Sequence, residues 1–302
     1  MEHENGEKIE PIFPANNVID LIDAFSNTAF NAKRMGKAAK IYKEMVESKS
    51  FIFFTMAGAM IPAGMRLIVT DAMKNGFLDV FVTTGANIVH EVVESLGIGH
   101  YKGDANVDDV ELANSNINRI YDVFLPQRAF EELENFVSPI ISELNGKYTT
   151  FEFLWEIGKR IKDKNSFLRI AYERKIPIFC PTLHDSILGL HVAIYRKKLE
   201  IDLFKDVYSM LDLCYQKKKF GVVIVGGGVP KNFTLQAMLL NEGFDYAIQI
   251  TTDSPHWGGL SGATLEEAKS WCKLKENAKA VTVYCDATIA LPLIYSYLKF
   301  KD

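Results

Sequence analysis

Residues 260–273 read LSGATLEEAKSWCK and gather side chains suited to covalent chemistry on an amine. Ser261-Gly262 reads as a turn, and Thr264 with Glu267 three residues on has the spacing of a capping box. Glu267 and Trp271 are four apart, which places them on one helix face. A carboxylate beside an indole suits an alkylammonium, one as counter-charge and the other as a cation–π surface. Lys273 follows two residues later. A lysine held against apolar walls or another cation loses its proton readily and attacks a carbonyl or imine carbon. Taken singly, these residues also read as ordinary helix surface, as Lys269 does.

The elements that must position this stretch follow an alternating pattern. Strand-type runs at 51–54, 79–83, 176–180, 220–225, 246–251 and 280–285 alternate with helical spacing. Most end in small residues and then a helix. Strand, turn and helix repeated in this way predict an α/β fold with a parallel sheet and crossover helices. Helical spacing is also expected over 18–46, 149–164 and 201–215. Residues 97–150 are less regular, and the acidic segment 104–109 lacks the ligand pattern of an EF-hand. Residues 1–15 read as a flexible arm.

In an open parallel sheet, ligands bind beyond the carboxyl ends of the strands. Those ends here carry Thr84-Gly85-Ala86, His184-Asp185, Gly226-Gly227-Gly228, Thr251-Thr252 and Asp286-Ala287. Glycines admit close backbone approach to a pyrophosphate, and a following helix N-terminus favours negative charge. Asp185 or Asp286 could hold ribose hydroxyls, so the set suits a dinucleotide. The triple glycine is not G-x-G-x-x-G, and any one of these turns also reads as a tight turn without ligand. His184 at a strand end is a candidate proton carrier. His256, beside Trp257 and upstream of the Glu/Trp/Lys stretch, is a second candidate.

Composition bounds the function classes. The chain has 302 residues, 48% hydrophobic and 24% charged, with a net charge of -4. That is globular and argues against a general nucleic-acid binder. The four cysteines form no C-x-x-C pair and the histidines no H-E-x-x-H, so no metal is expected. No run is long and apolar enough to span a membrane, and a cytoplasmic location is expected.

The motifs Thr83-Thr-Gly-Ala-Asn87, Gly226-Gly-Gly-Val-Pro-Lys231, Leu260-Ser-Gly-Ala263, Glu266-Glu-Ala-Lys-Ser-Trp-Cys-Lys273 and Val283-Tyr-Cys-Asp-Ala287, in that order, resemble deoxyhypusine synthase, in its archaeal and bacterial branch. The resemblance implies a Rossmann-like NAD-binding parallel sheet flanked by helices over 51–302, preceded by an N-terminal arm and helices over 1–50. It implies a homotetramer with active sites between subunits. It also implies transfer of the aminobutyl group of spermidine, by way of an enzyme-lysine imine, to one lysine of translation initiation factor 5A. Lys273 matches the imine-forming lysine, and Glu267 and Trp271 match polyamine-binding residues. Thr84, Gly85, Ala86, Asp185, Gly226, Gly227, Gly228, Thr252, Asp286 and Ala287 match NAD contacts.

Eukaryotic members carry two further acids and a histidine where this chain has Leu190, Leu260 and Asn232. The amine end would then draw on other groups, with His184, Asp253 and His256 as candidates. Two alternatives share the same motifs. One is a homospermidine synthase-like transferase acting on a small amine, and the other a non-catalytic NAD-binding paralogue.

Overall fold

A computed structural model describes residues 8–216 and 218–299. Six strands form one parallel sheet: β1 (Phe51–Met56), β2 (Val80–Thr83), β3 (Ile178–Phe179), β4 (Phe220–Val225), β5 (Phe244–Thr251) and β6 (Leu274–Tyr284). Their order across the sheet is β6-β5-β4-β1-β2-β3, and every neighbouring pair is parallel. The chain therefore works outward from β1 in one direction, then returns and works outward from β4 in the other. The reversal between β1 and β4 creates a crevice at the carboxyl edge.

Helices cover both faces, so the central strands are apolar throughout instead of alternating. β1 (FIFFTM) and β4 (FGVVIV) are buried at all their residues. The strand period of two divides their side chains between two cores. Ile52, Phe54 and Met56 pack on one face with Tyr42, Val69 and Tyr297. Phe51, Phe53, Val222 and Ile224 pack on the other with Met210, Leu235, Leu265 and Ala268. This second face carries three helices used below: α1 (Leu203–Cys214), α2 (Gly228–Ala237) and α3 (Leu265–Ser270).

Four expectations change in detail. The helical span at 18–46 is two helices, Val18–Ser26 and Phe30–Glu47, because Asn27 closes the first and Phe30 opens the second with φ of +56°. The helix expected over 149–164 is Thr150–Gly158, with a full capping box from Thr149 and Glu152. Gly158 lets it lie against the next helix, for a Cβ there would fall 2.2 Å from the Leu168 carbonyl oxygen. The region 97–150, read as irregular, contains the helix Arg128–Glu143 and a small antiparallel sheet. Its interior Pro139 and short flanking strands hid that helix's apolar stripe of Ala129, Leu133, Val137 and Ile140. The last strand starts earlier than expected, at Leu274, and is offset against β5 between the pairs Phe244–Leu274 and Tyr246–Lys279.

Candidate active site

α3 is six residues long and stands because both ends are tied. Thr264 Oγ1 accepts the Glu267 N–H at 3.0 Å, one of the two bonds of a capping box. Leu265 and Ala268 anchor it to the sheet. The helix stops at Ser270, earlier than the shared Glu267/Trp271 face requires. Trp271 is the C-cap, and Cys272 turns the chain with φ of +54°. The Lys273 N–H then donates to Ala268 O at 3.0 Å, and its carbonyl accepts the Phe244 N–H at 3.1 Å. Lys273 thus sits where the helix hands over to β6. Its Nζ lies 5.7 Å from the centre of the Trp271 ring. Lys273, Glu267, Trp271, Asn232, Leu260 and Lys231 together line a cavity of about 160 Å³.

Lys231 is the residue that the sequence reading quoted in a motif without giving it a role. It is 3% exposed, on the first turn of α2. Its Nζ donates to Gln249 Oε1 at 3.1 Å, Leu260 O at 2.9 Å and Ala263 O at 2.5 Å. The Gln249 amide donates in turn to Gly226 O at 3.2 Å and Ser261 O at 2.8 Å. Burial pulls Lys231 down to about 8, with Glu267 opposing and the Lys273 charge reinforcing the fall. One buried ammonium therefore ties the turn after β4, the loop after β5 and the lysine cavity into a unit. Its signal in the sequence was a lone lysine in an otherwise uncharged helix start directly after three glycines.

The proposed cofactor residues all fall on the carboxyl edge, because the sheet is wholly parallel. Thr84-Gly85-Ala86 follows β2, Asp185 lies beyond β3, Gly226-Gly227-Gly228 follows β4, Thr252 follows β5 and Asp286-Ala287 lies beyond β6. Two of the glycines serve packing. A Cβ on Gly85 would meet Ser186 Cβ at 2.4 Å, and one on Gly227 would meet Ser261 Cα at 2.4 Å. Gly226, with φ of +75°, sets the turn itself. Asp286 receives the Thr288 N–H at 2.7 Å and so starts the helix Ala287–Lys299. Thr84 N-caps the helix Gly85–Ser95, whose geometry leaves the Gly85 and Ala86 N–H groups without intrahelical acceptors. The turn after β1 was passed over as a binding element, yet Ala57-Gly58 borders the crevice between β1 and β4, with Gly58 at φ of +82°.

The two histidines stand apart from the lysine cavity. His184 is exposed and lines a separate cavity of about 170 Å³ with Leu183, Val192 and Ile201. His256 is exposed, with Nδ1 2.7 Å from Ser254 Oγ. Leu190 is 59% exposed, whereas Asn232 and Leu260 line the lysine cavity. Asp253 also acts electrostatically on Lys231. A larger cavity of about 830 Å³ lies between the helix Phe30–Glu47 and β6, walled by Lys33, Arg34 and Lys37. It meets the lysine helix only at residues 264–266.

The strand order, the crevice at its reversal and the turns along the carboxyl edge define a Rossmann-type α/β protein. The deoxyhypusine synthase family model matches residues 20–298. The protein named "probable deoxyhypusine synthase 1" of Archaeoglobus fulgidus is 71% identical over 281 residues, 93% of each chain. Its namesake in Methanosarcina mazei is 47% identical over 295 residues, covering 96% of this chain and 93% of that one. A crystal structure of a deoxyhypusine synthase-like protein from Entamoeba histolytica superposes with a TM-score of 0.66 at 20% identity, over 93% of this chain and 92% of that one, and shares the fold. The chain belongs to the deoxyhypusine synthase family, a family of aminobutyl transferases.

Proposed function

We propose that this chain carries out deoxyhypusine synthesis with NAD as its cofactor, spermidine as donor and Lys273 as the nucleophile that holds the aminobutyl group as an imine. NAD held there would supply a hydride acceptor for the amine carbon. The residues present fit that group: a switch-point crevice, left-handed glycines at 58 and 226, and the open N–H groups of Gly85 and Ala86. Thr84, Gly85, Ala86, Asp185, Gly226, Gly227, Gly228, Thr252, Asp286 and Ala287 are the side chains and backbone groups proposed to hold it. Glu267 and Trp271 receive the cationic amine. The observation that carries the reading is one small cavity holding Lys273, Glu267, Trp271 and the buried Lys231. The buried Lys231 closes one side of that cavity, and an amine placed beside a bound polyamine is what attack on an imine carbon requires.

We further propose a homotetramer whose active sites lie between subunits, with His184 and His256 contributing at the amine end. The Lys273 carbonyl meets the first residue of β5, and the cavity reaches from there to Lys231 at the start of α2 and to Leu260 and Ala263 in the loop after β5. Exposed Phe204, Val207, Tyr208, Val229, Leu239 and Leu240 form an apolar face beside the cavity, and Asn232 borders both. A second copy on that face brings the lysine cavity of one chain toward the turns of another. The cysteines are all free, which supports a reducing compartment such as the cytoplasm. Among the described residues no helix is long and apolar enough to cross a membrane.

The proposed acceptor is a lysine of translation initiation factor 5A. A second reading, transfer to a small amine such as putrescine, draws support from uncharged Asn232 and Leu260 at the cavity. Incubation with NAD and labelled spermidine, then borohydride, tests the chemistry: label is expected on Lys273 and absent from Lys273→Ala. Adding factor 5A or putrescine separates the acceptors. Label found solely in the small-molecule fraction removes the protein-lysine reading.

A further inference from the structure

Outside the lysine cavity, one chain of titratable groups has the form of a proton path. His90 lies on the helix Gly85–Ser95, and His100 follows a short loop after it. His100 Nδ1 is 2.5 Å from Glu94 Oε1, and His100 Nε2 is 2.8 Å from His90 Nδ1. The His100 side chain is 5% exposed and that of Glu94 26%. Two imidazoles in series on a carboxylate leave His90 Nε2 as the outer nitrogen of the chain, with no hydrogen bond to it among the described residues.

The place of this chain in the fold gives it a use. His90 is four residues beyond Ala86 and shares its helix face, one turn behind the strand-end turn proposed for the cofactor. His100 lines a cavity of about 390 Å³ with Pro62, Ala63 and Gly64 from the turn after β1 and Thr288 from the first turn of the helix Ala287–Lys299. Lys102 and Asp122 complete its charged lining. The Glu94–His100–His90 chain thus lies between that cavity, which His100 lines, and the first turn of the helix that carries Gly85, Ala86 and His90.

We propose that Glu94, His100 and His90 form a proton relay serving the amine-oxidation step, with His90 Nε2 as the terminal acceptor. The proposal rests on the functional reading above. The ammonium of the donor amine gives its proton to His90 Nε2. The His90 Nδ1 proton passes to His100 Nε2, and the charge comes to rest on His100 against Glu94. The neutral amine can then lose a hydride from its α-carbon to the nicotinamide dinucleotide, leaving an iminium. When Lys273 displaces the diamine fragment, the path reverses, and that fragment leaves with the stored proton. Protons and electrons balance within the half-reaction. Burial and the adjacent His100 hold His90 well below the ordinary histidine range, at about 4, so it starts the cycle neutral. The His100 contact holds Glu94 below the ordinary carboxylate range, with a smaller contribution from Arg66, so the carboxylate is charged.

The test uses the full-length protein with His90→Gln, Glu94→Gln and Glu94→Asp. Reduced nicotinamide formed from spermidine is followed from pH 3 to 10, NAD binding is measured by calorimetry, and histidine ring protons are titrated by NMR without cofactor over the same range. His90→Gln should slow hydride formation about 100-fold and lose the acid limb of the rate profile, with NAD binding unchanged. Glu94→Gln should move that limb, and the NMR titration of the pair, to lower pH, and Glu94→Asp should restore part of it. Variants with the wild-type rate within twofold and an unmoved acid limb would overturn the relay while leaving the functional reading intact. Equal losses in NAD binding and rate would also overturn it. A wild-type protein that forms no reduced nicotinamide and traps no adduct would overturn both.

Discussion

At the scale of single residues, the site turns on how two lysines are solvated. Lys273 is half-buried and faces the indole of Trp271, whereas Lys231 is enclosed and held by three oxygen acceptors. Lys273→Arg keeps a cation but removes the amine nucleophile, so it should bind NAD like wild type and give no borohydride-trapped adduct. Trp271→Ala removes the cation–π surface and should weaken spermidine binding about tenfold, with NAD binding little changed; competition binding reads the difference. Lys231→Met leaves two part-buried carbonyls and a buried amide oxygen without this donor, which should cost about 1–3 kcal/mol in urea unfolding. Because burial lowers the folded-state value of Lys231 to about 8, below its ordinary 10.5, the folded chain sheds a proton that the unfolded chain keeps. Its penalty is therefore present in full below pH 8 and relieved as pH rises toward 10.5. The stability gap between wild type and Lys231→Met should widen over that window. Equal gaps at pH 7 and 10 would show that Lys231 is not desolvated.

At the scale of elements, the short helix α3 and the triple-glycine turn set the lysine's position. Six residues are too few for a stable helix on propensity alone, so α3 depends on its cap and its two buried contacts. Thr264→Ala should lose about 1 kcal/mol of stability and lower transfer more than NAD binding, as measured by thermal melts and adduct trapping. Gly227 presses against Ser261, whose hydroxyl accepts the Gly228 N–H at 3.1 Å. Gly227→Ala would force that loop off the turn at a cost of about 1–3 kcal/mol. The same loop supplies both carbonyls that hold Lys231, so the variant should also lose the pH dependence just described.

For the whole molecule, α1 and α2 expose several large apolar side chains side by side, the kind of patch that marks an association site. Phe204 is 77% exposed and Tyr208 69% exposed, four residues apart on α1. Phe204→Glu with Tyr208→Glu should convert the proposed homotetramer to smaller species in sedimentation velocity. Circular dichroism should stay unchanged, because neither ring lies in the buried core, and adduct formation should fall with the assembly. A variant that stays assembled at wild-type size would place the interface elsewhere.

The residues alone were enough for the fold class, and they singled out Glu267, Trp271 and Lys273 as one candidate stretch, which the fold gathers in one cavity. Central strands buried on both faces must be nearly continuous in apolar residues, and 51–56 and 220–225 carry that mark without reference to anything distant. The Glu267–Trp271–Lys273 spacing is local too, and so are the strand-end glycines. What the chain could not disclose depends on contacts far apart in sequence. Lys231 looks like any surface lysine until residues 249, 260 and 263 fold over it. Gly85 and Gly227 look like phosphate glycines until Ser186 and Ser261 arrive against them. His90 and His100 read as unrelated until a helix and a loop set them 2.8 Å apart on one carboxylate. Short-range spacing fixes periodicity and turn chemistry, whereas burial and partner choice are settled only when long-range packing removes water from a side chain.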